Sequence, residues 1–129
     1  MGTMVLIRGL PGSGKTTKAK QLVKDNPYSK YYHYEADHYF ELTGEYKFDP
    51  AKLQNAHLWC QARVMNAMTL KKNVIVANTF VKQCEMDYYK QLAKDFGYYL
   101  EIIHCEGQFD NIHNVPKETV DRMRTNFEK

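Results

Sequence analysis

No stretch of the sequence approaches the roughly 18 consecutive apolar residues that a membrane-spanning helix requires. No charged N-terminal region followed by an apolar segment marks a secretory signal, so the expectation is a cytoplasmic protein with no membrane partner. Cysteine is scarce: Cys60, Cys84 and Cys105 are odd in number, far apart and without a C-x-x-C pair. That spacing argues against a disulfide framework or a cysteine zinc site and suits a reducing compartment. Charge is nearly balanced, 18 Lys and Arg against 15 Asp and Glu for a net +3, which permits a nucleic-acid partner without imposing one. There is no internal repeat, low-complexity tract or linker. With 129 residues and 43% hydrophobic content, the expectation is a single domain spanning residues 1–129. The histidines His33, His38, His57, His104 and His113 form no H-x-x-x-H pair, so spacing predicts no structural metal. His38 and His113 are read either as inert surface or as groups that touch phosphate.

Tyrosine is abundant, ten in all, with four in "PYSKYYHY" between Pro27 and Tyr34. Such a run serves either as stacking aromatics for nucleic acid or as a half-buried strand and its rim. Along the chain, strand-like and helix-like segments alternate. "TMVLIRG" (Thr3 to Gly9) reads as a buried central strand, followed by a helix from about Gly14 to Asp25 that stops at Asn26-Pro27. "YYHYEAD" is a more polar strand suited to an edge. Asp49 as cap and Pro50 at the first helical position open a long helix with Leu53, Ala56, Cys60, Val64 and Ala67 on one stripe. "NVIVANT", "QCEMDYYKQLAKDFG", "YYLEIIHC" and "PKETVDRMRTNF" continue as strand, helix, strand and helix. The alternation predicts an α/β fold, a three-layer α/β/α sandwich around a mostly parallel sheet of about four to five strands with right-handed crossovers.

Between the first strand and its helix lies "RGLPGSGKTTK", in which G-x-x-x-x-G-K-T runs from Gly9 to Thr16. A strand before and a helix after are the context this phosphate-binding pattern requires. Gly9, Gly12 and Gly14 let the backbone approach an anion closely, and N–H groups from about Gly12 to Thr17 converge at a helix N-terminus. Pro11, Ser13 and Thr17 complete the nucleotide-binding stretch. Lys15 would reach the β- and γ-phosphates and the Thr16 hydroxyl would ligate Mg²⁺. Asp37, at the C-terminal end of the second strand, lies where ligands of open α/β sheets collect. It is either a base for an attacking hydroxyl or the N-cap of "HYFELTG", and the two roles are compatible.

The residues "RGLPGSGKTT" (Arg8 to Thr17), "ADHYF" (Ala36 to Phe40), "GEYKFDPAKLQNAHLW" (Gly44 to Trp59), "VIVANT" (Val74 to Thr79) and "NIHNVPKETVDRMRTNFE" (Asn111 to Glu128) carry a resemblance that runs over nearly the whole chain. The sequence resembles the small P-loop ATPase and kinase group that includes the 5′-hydroxyl kinase domain of bacteriophage polynucleotide kinase, and more closely its short AAA-type ATP-binding relatives. The resemblance implies ATP or GTP as donor, Mg²⁺ as cofactor, and transfer of the γ-phosphate to a hydroxyl, often a nucleic-acid 5′ end. It places Asp37 on the acceptor-activating aspartate and Arg63, which can share a helix face with Trp59, on an acceptor-phosphate contact. A solvated helix charge is the other reading of Arg63.

Three departures accompany the resemblance. Ala77 and Asn78 stand where relatives have a carboxylate, so no acid follows the third strand; Asn78 could orient a water or the acceptor. The segment "EGQFDNIHNVP" has no Lys or Arg before Lys117, where kinase relatives carry lid arginines, unless Arg63, Arg122 or Arg124 substitutes. Phe40 replaces an arginine of the phage enzyme and is read either as a base-stacking ring or as a core residue. The expected function is therefore an ATP-binding phosphotransferase resembling polynucleotide 5′-hydroxyl kinases. A nucleotide-binding module or slow NTPase with a degenerate kinase site, and a small-molecule or nucleotide kinase, are the alternatives.

Overall fold

The computed structural model describes residues 2–107 and 115–129; the greater part of the arginine-free segment, with His113, lies outside them. Four strands form one sheet in the order β2-β3-β1-β4. They are β1 (Thr3–Arg8), β2 (Tyr31–Tyr34), β3 (Asn73–Ala77) and β4 (Tyr99–His104), and every pairing is parallel. The apolar runs in β1 and β3 are central and buried, while the more polar β2 and β4 take the two edges, because an edge strand has fewer covered neighbours.

Alternation along the central strands divides the core. Val5, Ile7, Ile75 and Ala77 pack with Ala19, Leu22 and Val23 of α1 (Lys15–Asp25). Met4, Leu6, Val74 and Val76 pack on the opposite face against α2 (Leu53–Thr69) and α3 (Asp87–Phe96). Helices on both faces make the expected three layers. On α2 the stripe Ala56, Cys60, Val64, Ala67 and Met68 is buried, but Leu53 is exposed. The 3₁₀ turn Pro50–Lys52 separates the Asp49 cap from the α-helix, so Leu53 is the first residue of α2 and lies at the exposed end of the stripe. The Asp49 side chain accepts from Ala51 N at 3.0 Å, as an N-cap does. Gly97 closes α3 in the left-handed conformation, at φ 68°.

The C-terminal segment closes over the exit of β1. Following α4 (Lys117–Asn126), Phe127 stacks on His104 with centroids 4.7 Å apart and lies under the Arg8 guanidinium at 4.3 Å. Arg8 is buried and donates to Phe80 O at 2.6 and 3.1 Å. It is thus a tie between β1, the exit of β3 and the C-terminus. Among the described residues, no helix is long and apolar enough to cross a membrane.

Candidate active site

The C-terminal ends of β1, β2 and β3 meet beside the N-terminus of α1, the place where open α/β sheets collect ligands. The loop leaving β1 is held close to its neighbours: Gly9 N donates to Thr79 O at 3.2 Å, and a Cβ on Gly9 would lie 2.5 Å from Cys105 O. Only glycine fits that approach. Gly12 and Gly14 have φ of 79° and 95°, in the left-handed region glycine adopts readily, and Gly14 is the N-cap of α1 without a side-chain cap. The first amides of α1 therefore face outward unclaimed by a cap. Ser13 is buried and its Oγ has no hydrogen-bond partner among the described residues. Pro11 lies partly buried in the same loop, and Thr17 is exposed on the first turn of α1.

Lys15 donates from Nζ to Leu10 O at 2.9 Å, so its ammonium is folded back onto the loop. Burial lowers its pKa, and the nearby charges of Glu35 and Asp37 oppose that shift. A partly buried ammonium at the phosphate loop is suited to an anionic ligand. A cleft of about 580 Å³ borders the loop, lined on one side by Leu10 to Ser13 and on the other by His104 to Gly107, Arg124 and Phe127. That volume suits a small-molecule ligand. Arg124 reaches this cleft while paired with Asp121 at 2.8 Å, whereas Arg122 is exposed.

Asp37 lies on the 3₁₀ helix Ala36–Glu41, three residues beyond β2. It is half-buried and accepts from the Tyr46 hydroxyl at 3.2 Å. The N-cap of that helix is Glu35, not Asp37, so the capping alternative for Asp37 does not hold. Asn78, at the exit of β3, is buried and accepts from Ala36 N through Oδ1 at 2.9 Å, which ties β3 to the turn carrying Asp37. Among the described residues its Nδ2 and the Tyr89 hydroxyl lack an oxygen or nitrogen partner; both hydrogen-bond the Cys60 thiol, whose pKa burial raises.

Phe40 is a core residue, 6% exposed, with rings of Tyr39, Tyr46 and Phe48 edge-on around it. Its ring has no free face for stacking on a base. Trp59 is partly buried against the same cluster and meets Tyr39 at 6.1 Å. Arg63 is exposed on α2 and acts electrostatically on the Tyr34 hydroxyl.

Glu35 was not singled out by sequence reasoning, and the structure brings it to the loop. It is buried, and the Thr16 hydroxyl lies 2.8 and 3.1 Å from its two oxygens. His33 Nε2 meets Oε2 at 2.5 Å, and Glu35 N donates to His38 Nδ1 at 3.3 Å. Burial by itself raises the Glu35 pKa, but the hydrogen bonds and charge of His33, with Thr16, reverse this and leave it lowered. Burial lowers the pKa of His38. Donor atoms of His33, Glu35 and His38 all lie within 4.8 Å of one another, a grouping that the absence of H-x-x-x-H spacing did not anticipate. In the sequence Glu35 falls within the strand-like "YYHYEAD", which gives no signal of a contact with the loop.

The sequence model of a family described as "AAA domain" matches residues 4–113. The chain is 34% identical over 136 residues to human NEDD4-binding protein 2, covering 98% of this chain and 8% of that protein. Among solved structures it is similar to a chain of the Pnkp1/Rnl/Hen1 RNA repair complex, with a TM-score of 0.69, 17% identity, and coverage of 98% of this chain and 44% of that one. The APS kinase CysC of Mycobacterium tuberculosis, in complex with AMPPNP and APS, gives a TM-score of 0.59 at 18% identity, covering 94% of this chain and 67% of that one. These likenesses establish a P-loop kinase-like fold. The chain spans only a small part of the human protein and less than half of the repair-complex chain.

Proposed function

The chain belongs to the AAA domain family that its sequence matches, and from that premise we propose that it is an ATP-dependent phosphotransferase acting on a hydroxyl acceptor. The 5′ end of a nucleic acid is the favoured acceptor. The observation that carries the reading is the position of Asp37: its carboxylate acts on the Lys15 ammonium of the phosphate loop and is oriented by Tyr46. A base and a phosphate cradle at the same sheet edge are the minimum for phosphoryl transfer.

In this mechanism the first amides of α1, left without a side-chain cap, and the Lys15 ammonium hold the triphosphate, with Lys15 leaving Leu10 O for the β- and γ-phosphates; the Ser13 N–H, bonded to Leu10 O at 3.0 Å, keeps the loop in shape. Thr16 would hold Mg²⁺, which when bound neutralises charge on the phosphate oxygens. The acceptor hydroxyl oxygen forms a bond to the γ-phosphorus, the bond from that phosphorus to the β–γ bridging oxygen breaks, ADP leaves, and the hydroxyl proton passes to Asp37. Arg63 and Trp59 are the proposed acceptor contacts on α2. Support comes also from the relatives: the named solved structures include a kinase with AMPPNP bound and an RNA repair complex.

A second reading, a nucleotide-binding module or slow NTPase, is favoured by one observation: Asn78, at the end of β3, brings no charge and spends its Oδ1 on Ala36 N. Labelled ATP and Mg²⁺ incubated with 5′-hydroxyl RNA and DNA oligonucleotides, nucleosides and water separate the two. Label at an oligonucleotide 5′ end is the expected result. Label on nucleosides alone would redirect the proposal to a small-molecule kinase. Label in inorganic phosphate alone, or none despite nucleotide binding, would overturn transfer in favour of the module.

A further inference from the structure

We infer that Glu35, at the exit of β2, is the positioning carboxylate for the metal ion that accompanies the triphosphate, a role that the end of β3 leaves open. The inference rests on the reading of the loop as a nucleoside triphosphate site. P-loop proteins hold Mg²⁺ through the loop hydroxyl together with an acid from a neighbouring strand. Here β3 ends in Ala77, buried against α1, and Asn78, whose Oδ1 is already bonded to Ala36 N. Neither offers a carboxylate.

The register shows where the acid has gone. Tyr34 of β2 lies opposite Val76 of β3, so the next residue on each strand places Glu35 alongside Ala77. The carboxylate thus comes from the exit of the neighbouring strand β2 and not from that of β3. From there it reaches the Thr16 hydroxyl at 2.8 Å.

The chemistry of that contact fits a hard cation. A hydroxyl has one proton and two lone pairs; with its proton given to Glu35, the oxygen of Thr16 keeps both lone pairs for a ligand. Mg²⁺ takes oxygen donors and is commonly held by one or two protein carboxylates plus phosphate. Glu35 is itself held in place, by His33 at Oε2 and by His38 at its backbone N–H. Partners that fix a metal-binding group in this way typically alter metal affinity by about 10- to 100-fold when removed. Glu35 therefore acts through Thr16, orienting the hydroxyl so that a lone pair faces the phosphates.

The test uses Mn²⁺ as a spectroscopically visible substitute for Mg²⁺, the full chain, and a non-hydrolysable ATP analogue. Electron paramagnetic resonance reads Mn²⁺ affinity for the protein–analogue complex, and a separate titration in chelator reads analogue affinity without metal. Glu35→Gln is expected to weaken Mn²⁺ binding by about 10- to 100-fold, whereas metal-free analogue affinity should not fall, because a negative charge beside the anion has been removed. Unchanged Mn²⁺ affinity overturns the inference while leaving the nucleotide reading intact. Mn²⁺ binding that is equally tight with and without the analogue also overturns it, and points to direct ligation by His33, Glu35 and His38. A wild-type chain that does not bind the analogue overturns the nucleotide reading and this inference with it. Should Glu35→Gln fail to fold, Glu35→Asp, which keeps the charge but withdraws it from Thr16, is judged by the same readings.

Discussion

The hydroxyl of Thr16, in the first turn of α1, hydrogen-bonds to both oxygens of Glu35 at 2.8 and 3.1 Å, joining the phosphate loop to the exit of an edge strand. This contact links two parts of the chain 19 residues apart. It also makes the site's electrostatics depend on one buried carboxylate with His33 as its partner.

Glu35 gives the fold an acid-sensitive element. Its folded-state pKa is lowered from an ordinary value of 4.5, so the carboxylate contributes stability above that pH and loses it as pH falls through the lower folded value. Thermal midpoints of wild type and Glu35→Gln, measured from neutral pH downward, should be furthest apart at neutrality, with wild type higher. The gap should close below about pH 4.5. A gap that does not change with pH would mean that the carboxylate's charge contributes nothing.

Lys15 should behave oppositely. Its folded pKa lies below 10.5 chiefly through burial, so its charge opposes folding at neutral pH and that penalty fades as pH rises through its pKa. Lys15→Met is therefore expected to melt above wild type when no nucleotide is present. The same variant should bind ATP about 10- to 100-fold more weakly, the loss of a charged hydrogen bond worth about 1.5–3 kcal/mol. Differential scanning fluorimetry with and without nucleotide reads both effects.

Asn78 tests how the turn carrying Asp37 is held. Asn78→Ala leaves the buried Ala36 N–H without its 2.9 Å acceptor, which should destabilise the protein by about 1–3 kcal/mol. Asn78→Asp keeps an acceptor oxygen and should retain most of that hydrogen bond. Chemical denaturation of both variants makes the comparison; equal losses would show that the bond to Ala36 is not what Asn78 provides.

The phosphate loop was legible in the sequence because its chemistry is contiguous: glycines, lysine and threonine stand together between a buried apolar run and a helix, and each acts within a few residues of itself. While its role as base is what is proposed, the place of Asp37, just past the second strand, was legible for a related reason. Glu35 was not, because its role depends on β2 lying next to β3 and on register, neither of which local spacing encodes. "YYHYEAD" read as one strand, whereas the strand ends at Tyr34 and the turn that follows gathers His33, Glu35 and His38. Phe40 stood open between stacking and core because a lone aromatic carries no sign of its neighbours. Tyr39, Tyr46 and Phe48 surround it only once the chain has folded.

The central claim is that this loop and Asp37 together move a phosphoryl group, and single-turnover transfer from labelled ATP to a 5′-hydroxyl oligonucleotide by wild type and Asp37→Asn tests it most directly. Asp37→Asn should transfer about 10²- to 10⁴-fold more slowly, the usual scale of a lost general base, with ATP binding retained. Transfer at the wild-type rate in Asp37→Asn would contradict the assignment of the base. A wild-type protein that binds ATP and labels no oligonucleotide would contradict the favoured acceptor.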